Sequence, residues 1–220
     1  TVIFPSSLLG TGERWTMLHH MSSTEYMNYE TGKFSKSQGI GVFGNDVQDT
    51  GIPADVWRFY IYYNRPERSD ALFTWDDFQE KVNAELIGNL GNLVNRTLTF
   101  LSRYFDGSVP EGPLDEELWG KVRELETQIT HHLERAELRE GFRKVFALSS
   151  LGNKYFQDGE PWRTRKSDPD AAAALLTNLV YLVRDLAILC RPYIPNTSDR
   201  IASFLDGIPM EWASLAAAGG

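Results

Sequence analysis

Residues 74–107, TWDDFQEKVNAELIGNLGNLVNRTLTFLSRYFDG, decide how the rest of the chain is read. Apolar positions recur at Phe78, Val82, Leu86, Leu90 and Leu93, and Thr97, Phe100 and Tyr104 continue the series in steps of three or four. That spacing keeps one face of a helix apolar along its whole length. Thr74 with Asp77 forms a near capping box, and Asp106-Gly107 supplies the stop. About thirty residues at about 1.5 Å each make a rod of roughly 45 Å.

Toward the C-terminus the same pattern repeats. A second helix is expected from about Asp115 to Arg135, with Leu118, Val122, Leu125, Ile129 and Leu133 inside. A third is expected from about Ala136 to Gln157, carrying Phe142, Val145, Phe146 and Tyr155. Ser167-Asp168-Pro169 is a cap followed by a first-turn proline, so it opens a fourth helix that ends before Pro192. A short helix near Thr197 to Leu205 closes the set. Toward the N-terminus the style changes. Pro53 suits a first helical position ahead of Val56, Phe59, Tyr60 and Tyr63, but Thr1 to Thr50 shows no helical period and reads as loops with short strands such as Val2-Ile3-Phe4 and Ile40-Gly41-Val42-Phe43. Apart from Ala171 to Ala174 and the Ala216 to Gly220 tail there is no low-complexity sequence. The expected fold is mainly α: a small mixed piece over residues 1–73, followed by an antiparallel helix bundle over 74–220.

Composition narrows the function. With 42% hydrophobic and 24% charged residues, the 220-residue chain belongs to the globular class. Its longest apolar stretch, Ala171 to Cys190, is interrupted by Thr177, Asn178, Arg184 and Asp185, so it reads as a core helix and no membrane partner is expected. One cysteine, Cys190, excludes an internal disulfide framework and a cysteine-knuckle zinc site, which fits a reducing, cytoplasmic setting. The net charge of −8, from 22 Lys+Arg against 30 Asp+Glu, gives no global attraction for nucleic acid, so an RNA partner requires a local basic patch. Thr1 resembles neither a natural start nor a signal peptide, and the chain reads as a piece of a longer protein.

The most specific chemical signal is Lys33-Phe34-Ser35-Lys36-Ser37, followed by Gln38-Gly39-Ile40-Gly41. Two ammonium groups three residues apart, with a hydroxyl between them, can meet a polyphosphate while pyrophosphate leaves. A solvated basic turn is the plain alternative. With glycines at 32, 39 and 41 and few apolar anchors, the loop is expected to be mobile without ligand.

This loop resembles the second signature loop of class I aminoacyl-tRNA synthetases, in the Phe-containing form of archaeal and eukaryotic-type methionyl-tRNA synthetases. The resemblance extends through Phe4-Pro5-Ser6-Ser7-Leu8-Leu9-Gly10-Thr11-Gly12 and Glu25-Tyr26 before it, then Gly41-Val42-Phe43-Gly44, Ile52-Pro53-Ala54-Asp55, Trp57-Arg58 and Val82-Asn83-Ala84-Glu85-Leu86 after it. It weakens only beyond about Pro195. It implies an ATP-dependent methionine–tRNA ligase whose partners are methionine, ATP and the anticodon loop of methionine tRNA. Lys33, Ser35 and Lys36 are then the ATP-binding residues, with Lys33 and Lys36 catalytic. The family's His-x-Gly-His motif surrounds none of His19, His20, His131 or His132, and its metal-binding knuckles are absent from the sequence. The chain by itself is therefore expected to be inactive, and no metal is expected.

The resemblance also assigns anticodon recognition to the bundle. Asn92 and Arg96, four residues apart on one helix face, match the family's anticodon-reading pair, and Pro161-Trp162, in a turn after the third helix, matches the pair on which an anticodon base stacks. A solvated polar face and a core tryptophan are the alternatives, although Arg163, Arg165 and Lys166 around Trp162 favour an exposed ring beside cations. Tyr60, Tyr62 and Tyr63 read as packing, Gly10-Thr11-Gly12 as too common a pattern to weigh, and Cys190 as an inert core thiol. Two rival readings remain: a free-standing tRNA-binding module, and a helical adaptor that binds proteins.

Overall fold

A computed structural model of the chain describes residues 2–30 and 32–215; Thr1 and the Ala216 to Gly220 tail lie outside the described residues. The N-terminal part comprises helix α1 (Ile3–Gly10), strand β1 (Met27–Tyr29), a 3-10 turn at Lys36–Gln38, a second at Val47–Thr50, helix α2 (Ala54–Tyr63) and strand β2 (Ala71–Phe73). β1 and β2 pair in parallel, Met27 opposite Ala71 and Tyr29 opposite Phe73. Then come α3 (Trp75–Lys81), a π-helical segment (Val82–Gly91), α4 (Asn92–Tyr104), α5 (Glu116–Glu134), α6 (Leu138–Gly159), α7 (Pro161–Ser167), α8 (Pro169–Cys190) and α9 (Pro195–Ala202). The architecture is a mainly α bundle with a small mixed lead-in, as the sequence implies.

Local chemistry sets the boundaries. The Thr74 hydroxyl accepts from the Asp77 amide, Asp115 caps α5 through the Leu118 amide, and Asp168 caps α8 through the Ala171 amide. Each satisfies a donor that a helix N-terminus leaves unpaired. α5 and α6 turn back on each other through three residues, with Ala136 at φ 56 and Glu137 taking the His132 ring at 2.7 Å. α8 is the axis of the bundle, with α4, α6, α7 and α9 packed around it. By length and apolarity α8 could also cross a membrane, contrary to the sequence reading, but 83% of its most apolar stretch is buried inside the fold. Its four polar interruptions are pins. Thr177 donates to Pro110 O at 2.6 Å, Asn178 bonds the chain at Pro113 and Asp115, and Arg184 donates to Ser214 O at 2.7 Å beside Asp185.

The lead-in is fastened to the bundle through α2. Buried Asp55 accepts from Asn196 and from the Thr197 amide at the start of α9, and Arg58 donates to the Tyr193 and Pro192 carbonyls at 2.6 and 3.0 Å. Phe59 and Tyr60 are fully buried; Tyr60 hydrogen-bonds Asp77, Tyr62 packs on Tyr193 and Tyr63 on Phe146. The tyrosine group is packing, as expected.

Several expectations are corrected. Val2-Ile3-Phe4 is helical, not extended: it opens α1, whose side chains are largely exposed, and a short apolar run carries no signal to separate helix from strand. Ile40-Gly41-Val42-Phe43 forms no strand beyond a single bridge from Ile40 to Ser35. The rod from Trp75 to Tyr104 is not uniformly α. Phe78, Val82, Leu86 and Leu90 advance by four each time, wider than the α period of 3.6, and the wide turns of the π segment keep them on one side. Tyr104, expected inside, is 37% exposed.

Candidate nucleic-acid interface

α4 begins at Asn92, so Asn92, Arg96, Phe100 and Tyr104 form a stripe four residues apart. Alongside runs α6. Asn89, Asn92 and Arg96 donate to Ser150, Asn153 and Gln157 at 2.9, 3.1 and 3.2 Å, each pair separated by 61 residues. A constant offset means that the two helices run parallel and in register. Gly152 permits this closeness, since a Cβ there would lie 2.6 Å from a Leu93 methyl and 2.9 Å from a Leu182 methyl. Behind the ladder, Asn153 donates to Asn89 O at 2.9 Å and Asn89 to Phe146 O at 3.1 Å. These bonds fix the rotamers of the exposed amides, so the face is set before any ligand arrives.

The third wall comes from α7. Glu160 ends α6 in the left-handed region at φ 41, and Pro161, whose fixed φ suits a first helical position, starts α7 immediately. Pro161 and Trp162, expected in a turn, form the first turn of a short helix, because the whole reversal is compressed into Glu160. The sharp turn brings the Trp162 ring back onto Phe156, centroids 6.3 Å apart and planes at 28°. On the same phenyl ring lies the Arg96 guanidinium, 4.2 Å from the centroid. Burial lowers the Arg96 pKa from its ordinary value, but such a shift does not discharge an arginine. Trp162 is 37% exposed, while Pro161 is buried and offers no ring for stacking.

The structure thus brings Asn92, Arg96 and Trp162 to one open face. Phe156, which carries both Arg96 and Trp162, was missed in the sequence, as were Asn153 and Gln157, the amides that orient Asn92 and Arg96. The spacing of Asn153 and Gln157, two polar residues four apart on an otherwise core-facing helix, was the available signal.

The lysine loop lies elsewhere, in the lead-in. Lys33 and Lys36 are exposed, Lys33 Nζ sits 5.9 Å from the Tyr26 ring centroid, and the Ser35 and Ser37 hydroxyls are 3.4 Å apart. The Ser35 and Ile40 backbones exchange two hydrogen bonds, and Gly39 closes the turn at φ 65. Two cations and two hydroxyls on an exposed tight turn fit a polyphosphate. The loop does have an apolar anchor: Phe34 packs against Tyr29 and Phe43, and Gly41 sits so close that a Cβ would lie 2.2 Å from the Phe34 ring. Phe34 is therefore a packing residue as well as part of the motif. Of the histidine pairs, His19 and His20 are exposed and His132 is engaged by Glu137, whose carboxyl the bond holds below the ordinary range.

Comparison with known proteins covers nearly the whole chain. Residues 1–98 match the family model of class I tRNA synthetases (M), and residues 107–219 match that of the anticodon binding domain of methionyl tRNA ligase. The methionine–tRNA ligase of Treponema denticola is 56% identical over 215 residues, and that of Borrelia hermsii 52% over 204; each match takes in 93% of this chain. The chain spans about a quarter of the length of these relatives, 27% and 28% respectively. Among solved structures, Mycobacterium tuberculosis methionyl-tRNA synthetase in complex with methionyl-adenylate superposes with a TM-score of 0.82 at 20% identity, over 99% of this chain and 44% of that one. Its apo form gives 0.81 at 19% identity, over 97% and 43%.

Proposed function

Because the chain belongs to the methionyl-tRNA synthetase family, we propose that it is the part of a cytoplasmic methionine–tRNA ligase that links the second ATP loop, within residues 1–73, to the anticodon reader, within 74–220. The whole enzyme activates methionine with ATP and transfers it to methionine tRNA. Lys33 and Lys36 neutralise the charge that develops as pyrophosphate leaves, and the Ser35 hydroxyl orients the phosphates. Asn92 and Arg96 read base edges, and an unstacked anticodon base lies on Trp162. The supporting observation is the column in which Phe156 holds the Arg96 guanidinium and the Trp162 ring together on one open face. The amides and cations there also disfavour a protein-binding adaptor, which calls for an apolar surface.

The test is binding of RNA stem-loops bearing the methionine anticodon CAU, or CAU with one base changed, at two salt concentrations. Arg96→Ala is expected to lower affinity for the cognate loop by about 1–3 kcal/mol and to erase discrimination at one base, and Trp162→Ala to lower it by a similar amount. Lys166→Ala should weaken both loops equally and flatten the salt dependence. Unchanged discrimination in folded Arg96→Ala and Trp162→Ala would refute the assignment.

A further inference from the structure

The stripe that begins with Asn92 and Arg96 does not end there. Phe100 lies 6.2 Å from Phe156 and 4.5 Å from Tyr104, so a continuous row of rings leads from the Arg96–Phe156 stack to Tyr104 at the far end of α4. Over Tyr104 lies a second guanidinium, that of Arg165, 4.1 Å from the ring centroid. The two units share one construction: an arginine guanidinium over an aromatic ring, its Cζ 4.2 Å from the centroid for Arg96 and 4.1 Å for Arg165. α7 also puts Trp162 and Arg165 three residues apart, hence on one helix face.

The charge of Arg165 is unused inside the fold. Its neighbour Arg163 pairs with Glu160 at 3.0 Å, whereas among the described residues Arg165 has no ion-pair partner and its Nε finds no hydrogen-bond acceptor. The ring alone holds it. In a chain of net charge −8, an unpaired guanidinium held over an aromatic face leaves its charge free for an external anionic ligand. Single-stranded RNA supplies one, since unstacked bases lie readily on guanidinium planes as well as on aromatic rings.

We propose that Arg165 on Tyr104 forms a second stacking position, which takes a nucleotide of the same RNA loop next to the base on Trp162. This inference rests on the anticodon reading and extends it from one stacked base to two. Arg165 supplies the guanidinium plane, the Tyr104 ring supports it, and exposed Arg103, 5.5 Å from the Tyr104 centroid, adds charge for the intervening phosphate.

The experiment is binding of the CAU stem-loop to the chain and to Arg165→Ala, Arg165→Lys, Tyr104→Phe and Arg96→Ala, with circular dichroism to check that each is folded. Arg165→Ala is expected to weaken binding about fivefold or more, the low end of what stacking one base contributes. Arg165→Lys keeps the charge and loses the plane, so it should weaken binding nearly as much, while Tyr104→Phe keeps the ring and should bind like wild type. If Arg165→Lys binds like wild type, only charge acts at this position and the stacking site is overturned. If both Arg165 variants are silent while Arg96→Ala is not, the second position is refuted and the anticodon reading stands. If Arg96→Ala is silent too, both fail.

Discussion

Asn178 sits at the middle of the α8 axis with 1% of its surface exposed, and one amide there holds two pieces of chain. Its Oδ1 accepts from the Trp119 indole at 2.6 Å and from the Asp115 amide at 3.0 Å, while its Nδ2 donates to Pro113 O at 3.0 Å and Ala174 O at 2.7 Å. Asn178→Ala leaves Ala174 O with its ordinary helical partner, and water can reach the loop at Pro113 and Asp115. The Trp119 N–H, on a side chain 1% exposed, is left with nothing. A buried donor without a partner costs about 1–3 kcal/mol, and the two lost loop bonds add about 0.5–1.5 kcal/mol each before water replaces part of them. The expected loss is about 3 kcal/mol, a large share of the roughly 5–15 kcal/mol that holds a domain together. Urea unfolding followed by circular dichroism measures it, and Trp119→Phe completes a cycle: with the indole N–H gone, Asn178→Ala should cost about 1–2 kcal/mol less. A loss under about 1 kcal/mol, or strict additivity of the two substitutions, would refute the argument that this amide pins the loop.

Other expectations concern the thiol and the lysine loop. Burial, helped by Asp55, pushes the Cys190 thiol up to about 12, against about 8.5 in an unfolded chain. A raised folded value means stability that is complete below pH about 8.5 and declines as pH rises toward 12; between pH about 8.5 and 9.5 wild type should lose about 1 kcal/mol more than Cys190→Ala, whose smaller remaining decline comes from buried tyrosines such as Tyr60 and Tyr193, and an identical decline in both would show that the thiol is not responsible. Gly41→Ala puts a methyl against Phe34 at φ 128, so hydrogen exchange at the Ser35 and Ile40 amides should accelerate at least tenfold with little change in global stability; unaltered exchange would mean that Phe34 does not anchor the loop. In a longer protein containing this chain, Lys36→Ala should cut methionine-dependent ATP–pyrophosphate exchange at least a hundredfold while methionine binding stays put, and the chain alone should catalyse none.

Much of the fold was legible because helix ends advertise themselves. Thr74, Asp115 and Asp168 were readable as caps or starts, and Asp106-Gly107 and Pro192 as stops, since each does a backbone job that few residue types can do. α1 was illegible: its apolar residues face no partner among the described residues, so no period marks them. Asn92, Arg96 and Trp162 could be found by resemblance. Phe156 could not, because a phenylalanine on an apolar helix looks the same in sequence whether it fills the core or carries a guanidinium on one face. Tyr104 failed for the same reason in reverse: helical spacing put it in the apolar stripe, and it stands at the stripe's exposed end beneath Arg165.

The wide-turned segment Val82–Gly91 has a consequence for how this chain can change length. In an α-helix a one-residue deletion turns everything downstream by about 100° relative to what came before. A helix made wholly of such turns is intolerant: loss of Asn95, inside α4, swings Arg96 away from Gln157. The π segment holds slack. When one residue is removed at exposed Ala84, a wide turn can tighten to an ordinary one, and α3 and α4 keep their mutual phase. Length variation in this helix should therefore be confined to 82–91, with the face of Asn92 and Arg96 beyond it unmoved.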